Sequence, residues 1–299
     1  MRKIKVKKKF IAITFLLLIT FGMIGCGKNQ VLKKENVNET NQEQATENKE
    51  TTEEQQENTN NNTEEQSQSQ IDYINIAPEE VKIPILMYHS ISDEDPSNNL
   101  LVPPAMFEEQ MAWLEANNFT AMNMDEALEA MRTGKVPKRP VVITFDDGYA
   151  NNYTSAFPSL KNHKLKATFF VITDGVDNGY YMSSDNLKEM QEAGMSIENH
   201  TANHLELNNL SKTDAYESIK RAQDYLRNVI GSDGNYLCYP VGKYNDETIQ
   251  IEEELGIKAA VTTQGGFASI NDGLHTLKRV RISPMSIEGF ASIFSEYIN

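Results

Sequence analysis

Two cysteines and one tryptophan are all that these 299 residues contain of either type. Two thiols cannot build the disulfide framework on which small exported domains rely, so a stable domain here must be held by a core of adequate size. Basic residues are scarce as well: 28 Lys and Arg stand against 43 Asp and Glu, a formal net charge of −15. A surface this acidic repels nucleic acid and anionic lipid, and no nucleic-acid partner is expected. Long apolar runs are few. The stretch Ile11 to Gly25, "IAITFLLLITFGMIG", is shorter than the ~20 residues a membrane span needs. No internal repeat is present, which excludes solenoids and propellers.

That apolar stretch follows "MRKIKVKKKF", with six basic residues in ten, and runs into Met23-Ile24-Gly25-Cys26. A basic region, a short apolar region and a small residue are the order of a secretory signal. The ending resembles the bacterial lipobox, whose Cys is acylated and becomes the new N-terminus. The expectation is a lipoprotein signal peptide over 1–25, lipidation at Cys26, and a protein lipid-anchored on the extracellular face of the bacterial cytoplasmic membrane. An uncleaved anchor helix is the alternative and puts the chain on the same side. With Cys26 acylated, Cys238 has no intrachain partner. Residues 26–70 read as a disordered polar stalk: from Thr46 to Gln70 there is no aliphatic or aromatic residue, so burial cannot offset chain entropy. Residues 71–299 suit one α/β domain, and this segment carries 18 basic against 33 acidic residues, the whole net charge.

Within it, apolar runs alternate with helix-period stretches. "IPILMYHSI", "PVVITF", "KATFFVI", "MSIENH", "YLCYP", "IKAAVTT" and "LKRVRI" read as strands. Between them lie helices such as "PAMFEEQMAWLEANN", with Pro104 near its start, and "SKTDAYESIKRAQDYLRNVIG", with Ser211 as N-cap and Gly231 past its end. Pro158 complicates the helix in "NYTSAFPSLKNH". Alternating strands and helices imply a parallel sheet with crossover connections, and about seven units suggest a closed or nearly closed barrel.

The chemistry gathers at strand ends. "VVITFDDGY" (Val141 to Tyr149) runs from a buried strand into two carboxylates. Asp-Gly alone reads as a turn. The other reading is a catalytic pair at the carboxyl end of a core strand, where parallel barrels place their active sites. "SIENHTANH" puts His200 and His204 four apart after another strand. They share a face if the segment turns helically. Two imidazoles and a carboxylate, with an open position for water, suit a catalytic zinc site. A third strand end, "YLCYPVGKYN", offers a tight loop at Pro240 and Gly242 whose N–H groups can face an oxyanion. Here a plain turn is the alternative.

"TFDDG", "HTANH" and "YPVGKYN", in this order, with "ATFFV" between the first two, resemble the motifs of the polysaccharide deacetylases, the NodB-homology domains of carbohydrate esterase family 4. The similarity runs from about Arg139 to the C-terminus, a core of 139–299. "PILMYHSI" resembles the branch of poly-N-acetylglucosamine deacetylases. The resemblance implies a distorted (β/α) barrel of about seven units and one divalent metal, most often zinc. It implies Asp147, His200 and His204 as metal ligands and Asp146 as general base. It places Tyr239, Pro240, Val241 and Gly242 at the substrate and oxyanion, with the Val241 N–H stabilising the charge. Adjacent strand residues face opposite ways, so this division of Asp146 and Asp147 requires the strand to break there, which Gly148 permits. Two departures stand out. Cys238 occupies the position where many members have Arg, and the motif with Asp and Trp is absent, since Trp113 lies far upstream. The general acid is assigned to His89 ahead of His275, and His163 is read as a surface residue.

The function expected is a monomeric, membrane-anchored, metal-dependent deacetylase of N-acetylglucosamine units in an extracellular or cell-wall polysaccharide. An O-acetyl esterase on acetylated xylan and a degenerate carbohydrate-binding lipoprotein are the alternatives.

Overall fold

The computed structural model describes residues 71–298; the expected signal peptide, Cys26 and the stalk lie outside the described residues. The chain enters through a short strand, β1 (Tyr73–Asn75), and reaches the first core strand, β2 (Ile85–Tyr88). Helix α1 (Pro104–Ala116), strand β3 (Thr120–Met122) and helix α2 (Met124–Thr133) follow, and then β4 (Lys135–Pro137), which pairs antiparallel with β1. Strand β5 (Pro140–Phe145) leads into α3 (Phe157–Asn162), β6 (Thr168–Val171), α4 (Ser184–Glu192) and β7 (Ser196–Asn199). The long helix α5 (Lys212–Tyr225), β8 (Tyr236–Cys238), α6 (Asp246–Leu255), β9 (Ala259–Gly265), β10 (Leu277–Arg281) and α7 (Ile287–Ile293) complete the course.

Seven of these strands close into a parallel ring in the order β2-β10-β9-β8-β7-β6-β5, sealed by the pairing of β2 with β5 from Ile85↔Val142 to Tyr88↔Phe145. The fold is therefore the expected α/β barrel. β3 adds to the start of β5, beside β6; its Thr and Met carry no run long enough to stand out in the sequence. β2 is a full member of the ring, so the barrel begins well before Arg139, where the motif resemblance starts.

Side-chain alternation along each strand builds two apolar layers. Leu86, Tyr88, Val141, Ile143, Phe145, Phe169, Val171 and Ile197 face α1, α3 and α4 in the outer layer. Ile85, Val142, Phe170, Tyr236, Cys238, Val261 and Leu277 pack together inside the ring. A third cluster lies under α5 and α6 and includes Leu237, Tyr239, Ile251 and Ala260.

Helix ends follow local chemistry. Ser211 caps α5 by accepting the Asp214 N–H. Asn123 and Glu126 form a reciprocal capping box on α2, which Gly134 closes in the left-handed region. Ahead of Pro158, Asn152–Ala156 winds as a π turn before α3 begins, which accommodates a residue with no N–H to give. His163 lies on the outside of the barrel, away from the strand ends. Its ring bridges Glu115 (2.6 Å) and Glu108 (2.9 Å) and ties the end of α3 to α1.

Candidate active site

Parallel strands point one way, so the loops after β2, β5, β7 and β8 share one end of the barrel. The same alternation that fills the barrel with apolar residues carries four chemical side chains inward at that end. His89 continues the inward series after Ile85, Asp146 follows Val142 and Thr144, His200 follows Glu198, and Cys238 follows Tyr236. Asp146 (3% exposed), His200 and Cys238 are all buried.

By the same alternation Asp147 would face outward. It does not, because the strand ends at Phe145 and the chain turns sharply: Asp147 has φ 72° and Gly148 φ 82°. Gly148 also lies against Val171, whose Cγ1 would be 3.2 Å from any Cβ added there. Asp147 Oδ1 lies 3.2 Å from His200 Nε2 and 3.3 Å from His204 Nε2. Burial pushes the Asp147 carboxyl up, but hydrogen bonds from the two imidazoles outweigh it and hold it well below the usual carboxylate range.

The segment between the two histidines is not helical, which corrects the helical face expected of them. Thr201 (φ 62°) and His204 (φ 55°) both adopt the left-handed region. The Asn199 side chain accepts the Thr201 N–H (2.7 Å) and the Thr201 hydroxyl accepts the His204 N–H (3.0 Å). These bonds satisfy the backbone in place of a helical ladder and swing His204 back over Asp147.

This donor set fits a divalent metal. Asp147, His200 and His204 each bring one ligand atom into a group within 4.8 Å. His200 Nδ1 donates to the Cys238 carbonyl at 2.7 Å. That bond selects the tautomer in which, once Nε2 gives up the proton it shares with Asp147, the Nε2 lone pair faces the centre, the usual arrangement behind a metal-ligating imidazole. Asp146, His200 and Cys238 form a second group of this kind, but Asp146 and Cys238 both face a guanidinium there, which opposes a cation.

That guanidinium is Arg279, to which the sequence reading assigned no role. Arg279 is 1% exposed. Its Nε donates to the Thr262 carbonyl, Nη1 to Thr144 Oγ1 (3.1 Å) and Asp146 Oδ1 (2.7 Å), and Nη2 to Asp146 Oδ2 (2.7 Å) and Cys238 Sγ (3.3 Å). All five donors of the group are used. Burial raises the Asp146 carboxyl, but Arg279 more than offsets this and holds it at about 2. Arg279 thus reaches Asp146 from β10, across the small Cys238 side chain on β8. The signal available in sequence was an Arg inside the strand "LKRVRI".

His89 Nε2 stands 3.8 Å from Asp146 Oδ2. Burial lowers the affinity of this imidazole for a proton, with Asp146 opposing, and its buried Nδ1 has no hydrogen-bond partner. His275 lies elsewhere. It precedes β10, on the side where that strand begins, and its Nδ1 bonds Glu252 of α6 at 2.6 Å in the outer layer.

The loop after β8 has Val241 in the left-handed region (φ 49°), half exposed, beside Gly242 (φ 71°). A Cβ on Gly242 would run into the Thr263 side chain. Pro240 is buried in the same turn. Tyr239 departs from the role expected of it. It falls on the outward phase of β8, packs with Ile251 and Leu237, and donates from its hydroxyl to the His275 carbonyl (2.9 Å). Only its backbone belongs to the loop. A broad cleft lined by Tyr73, Ala121, Glu126 and Lys138 holds none of these groups.

Comparison with known proteins agrees with the motifs. The family model described as polysaccharide deacetylase matches residues 133–260. YxkH of Bacillus subtilis (strain 168), whose name places it among polysaccharide deacetylases, is 40% identical over 218 residues, covering 73% of this chain and 76% of that protein. The poly-beta-1,6-N-acetyl-D-glucosamine N-deacetylase of Staphylococcus epidermidis is 28% identical over 230 residues, covering 68% of this chain and 80% of its own length. Among solved structures, the Streptococcus pyogenes deacetylase PplD in complex with acetate is similar with a TM-score of 0.69 and 36% identity, over 71% of this chain and 97% of that one.

Proposed function

Because the chain belongs to the polysaccharide deacetylase family and is thereby a deacetylating hydrolase, we propose that it removes N-acetyl groups from N-acetylglucosamine units of an extracellular or cell-wall polysaccharide, using one divalent metal ion, zinc by preference. The observation that carries this reading is the convergence of Asp147, His200 and His204 beside a separately held Asp146 and His89. A carbohydrate-binding module has no need of a carboxylate kept apart from the metal-type triad. Similarity to a protein named for poly-beta-1,6-N-acetyl-D-glucosamine supports the sugar.

Asp147, His200 and His204 would hold the ion. Bound there, it supplies polarisation of the acetamide carbonyl and a more acidic water. The protein's own groups then divide the proton work. Asp146, kept ionised by Arg279, accepts the water's proton. A carboxylic acid held at about 2 gives that proton up readily, and His89, a neutral imidazole 3.8 Å away, is the nearest imidazole to Asp146 Oδ2. The charged His89 then donates to the departing amine, which cannot leave as an anion. The Val241 N–H would stabilise the oxygen that gains negative charge. The products are acetate and a glucosamine unit.

The test is acetate release by the purified protein from poly-N-acetylglucosamine, peptidoglycan and chitin oligomers, with acetylated xylan as the ester control. Activity on an N-acetylated polymer that chelation abolishes and zinc restores is the result expected. Release from xylan alone would make it an O-acetyl esterase, and binding without release would make it a lectin-like module.

A further inference from the structure

Among the described residues, the large apolar side chains that remain exposed are Ile71, Tyr73, Ile74, Tyr180, Leu205 and Val241. The first three belong to the entry segment and β1. The other three stand on the loops after β6, β7 and β8, the successive loops that border the Asp147–His200–His204 group. Scattered exposed apolar residues need no explanation, but a set gathered around one site marks a surface that a ligand covers.

Tyr180 is the most exposed of the six, at 65%. Its ring stands perpendicular to two others, 5.5 Å from Tyr149 and 5.1 Å from Tyr181 between centroids, while Tyr149 and Tyr181 stack on each other. Tyr149 in turn follows Asp147 by two residues on the turn that brings that carboxylate to the histidines. Tyr180 is therefore one aromatic ring removed from the metal-type triad. Its loop is tightly built. Asn178 Oδ1 accepts the N–H groups of both Tyr180 (2.9 Å) and Tyr181 (3.2 Å). The loop is also laced to the Asp147–Gly148 turn, through Met182 N–H to the Gly148 carbonyl and Ala150 N–H to the Tyr180 carbonyl. A ring presented so rigidly loses little freedom when something covers it.

We propose that Tyr180 is a saccharide subsite: its ring takes the C–H face of the sugar next to the unit whose acetamide lies at the triad. This deepens the proposed function and rests on it for the identity of the polymer. One face of a pyranose ring is a patch of C–H bonds, and an aromatic face desolvates and contacts it favourably. A polymer threaded over this end of the barrel must rest its neighbouring unit on the rim. Of the three tyrosine rings clustered beside Asp147, Tyr180 is the one that stands exposed on the rim.

The experiment compares kcat/KM for acetate release from a single N-acetylglucosamine unit, as its methyl glycoside, and from the β-1,6-linked pentamer, using the full chain loaded with zinc, and measures pentamer affinity by calorimetry. Tyr180→Ala should lower the pentamer-to-monomer ratio of kcat/KM roughly three- to tenfold and weaken pentamer binding by a similar factor, the size of one aromatic contact. Tyr180→Phe and Tyr180→Trp should hold the wild-type ratio. An unchanged ratio and affinity in Tyr180→Ala overturns the subsite while acetate release leaves the deacetylase reading standing. A loss in Tyr180→Phe equal to that in Tyr180→Ala also overturns it, because a hydroxyl contact rather than stacking would then be at work. Pentamer binding that depends on Tyr180 without acetate release sinks the deacetylase reading and keeps the subsite. Neither binding nor release by the wild type overturns both.

Discussion

Asp146 and Asp147 are neighbours in sequence and face different partners. One stays in phase with its strand and meets Arg279; the other is turned by a left-handed backbone onto two histidines. Their isosteric variants should therefore differ in kind. Asp147→Asn should lose metal occupancy and rate together. Asp146→Asn should keep its metal and lose about 10²–10⁴ in kcat; metal analysis beside kinetics reads the split, and equal metal loss in both would mean a jointly ligating pair. The two candidate acids separate as clearly. His89→Ala should lose amide cleavage by about 10²–10⁴-fold and keep most turnover of an activated aryl acetate, whose leaving group needs no proton. His275→Ala should leave that ratio at wild type and act on stability instead. Its hydrogen bond with Glu252 raises the His275 affinity for a proton, burial opposing. A raised histidine stabilises the fold fully below its unfolded value near 6.5 and loses that contribution as pH rises through the folded value. The stability deficit of His275→Ala, roughly 1–2 kcal/mol at pH 6, should thus be smaller at pH 9. A deficit equal at both pH values would show that the ion pair is not its source.

At the scale of elements, β8 and β10 share one task. Where the motif resemblance leads one to expect an Arg, β8 has Cys238; the guanidinium that meets Asp146 comes from Arg279 on β10, and its Nη2 rests against the Cys238 sulfur. The small residue on one strand makes room for the large one on another. Cys238→Arg should consequently fail: it would force a second buried cation into space already filled, and overpacking plus like charge should cost several kcal/mol. Adding Arg279→Leu to Cys238→Arg should recover part of that loss, which thermal unfolding of the two variants measures. Arg279→Gln alone leaves the Asp146 carboxylate buried without its partner and should cost about 3–5 kcal/mol.

For the whole molecule, closure of the ring sets where the domain can be cut. β2 pairs with β5 on one side and β10 on the other, and it carries His89 just past its end. A fragment of residues 139–299, the span of the motif resemblance, lacks that strand. It should expose two unpaired parallel edges and aggregate rather than fold, whereas residues 71–299 should fold and unfold cooperatively by circular dichroism. The N-terminal 70 residues bear on location, and we propose that acylated Cys26 holds the protein at the membrane. Cys26→Ser should move it from the membrane fraction to the medium or leave it on an uncleaved signal. Deleting residues 29–70 should not alter acetate release from a soluble oligomer; loss of activity there would move the domain boundary.

Much of this was legible in the one-dimensional pattern, because strand alternation and helix caps are local physics. The runs "PVVITF" and "KATFFV" announce buried strands by composition alone, Ser211 and Gly231 mark their helix, and Asp146, Asp147, His200 and His204 stand at strand ends in a known order. Alternation even placed Tyr239 outward, had it been counted from Tyr236 and Cys238. What the sequence could not determine is what lies across the barrel. The buried Arg279–Asp146 pair joins residues far apart in the chain, and Arg279 reads locally as one more polar strand residue. His89 and His275 could be told apart only by where the ring closes: His89 emerges at the carboxyl end of β2, while His275 enters β10 from the other side and finds Glu252. Local periodicity sets which way each side chain faces; only closure of seven strands sets which ones meet.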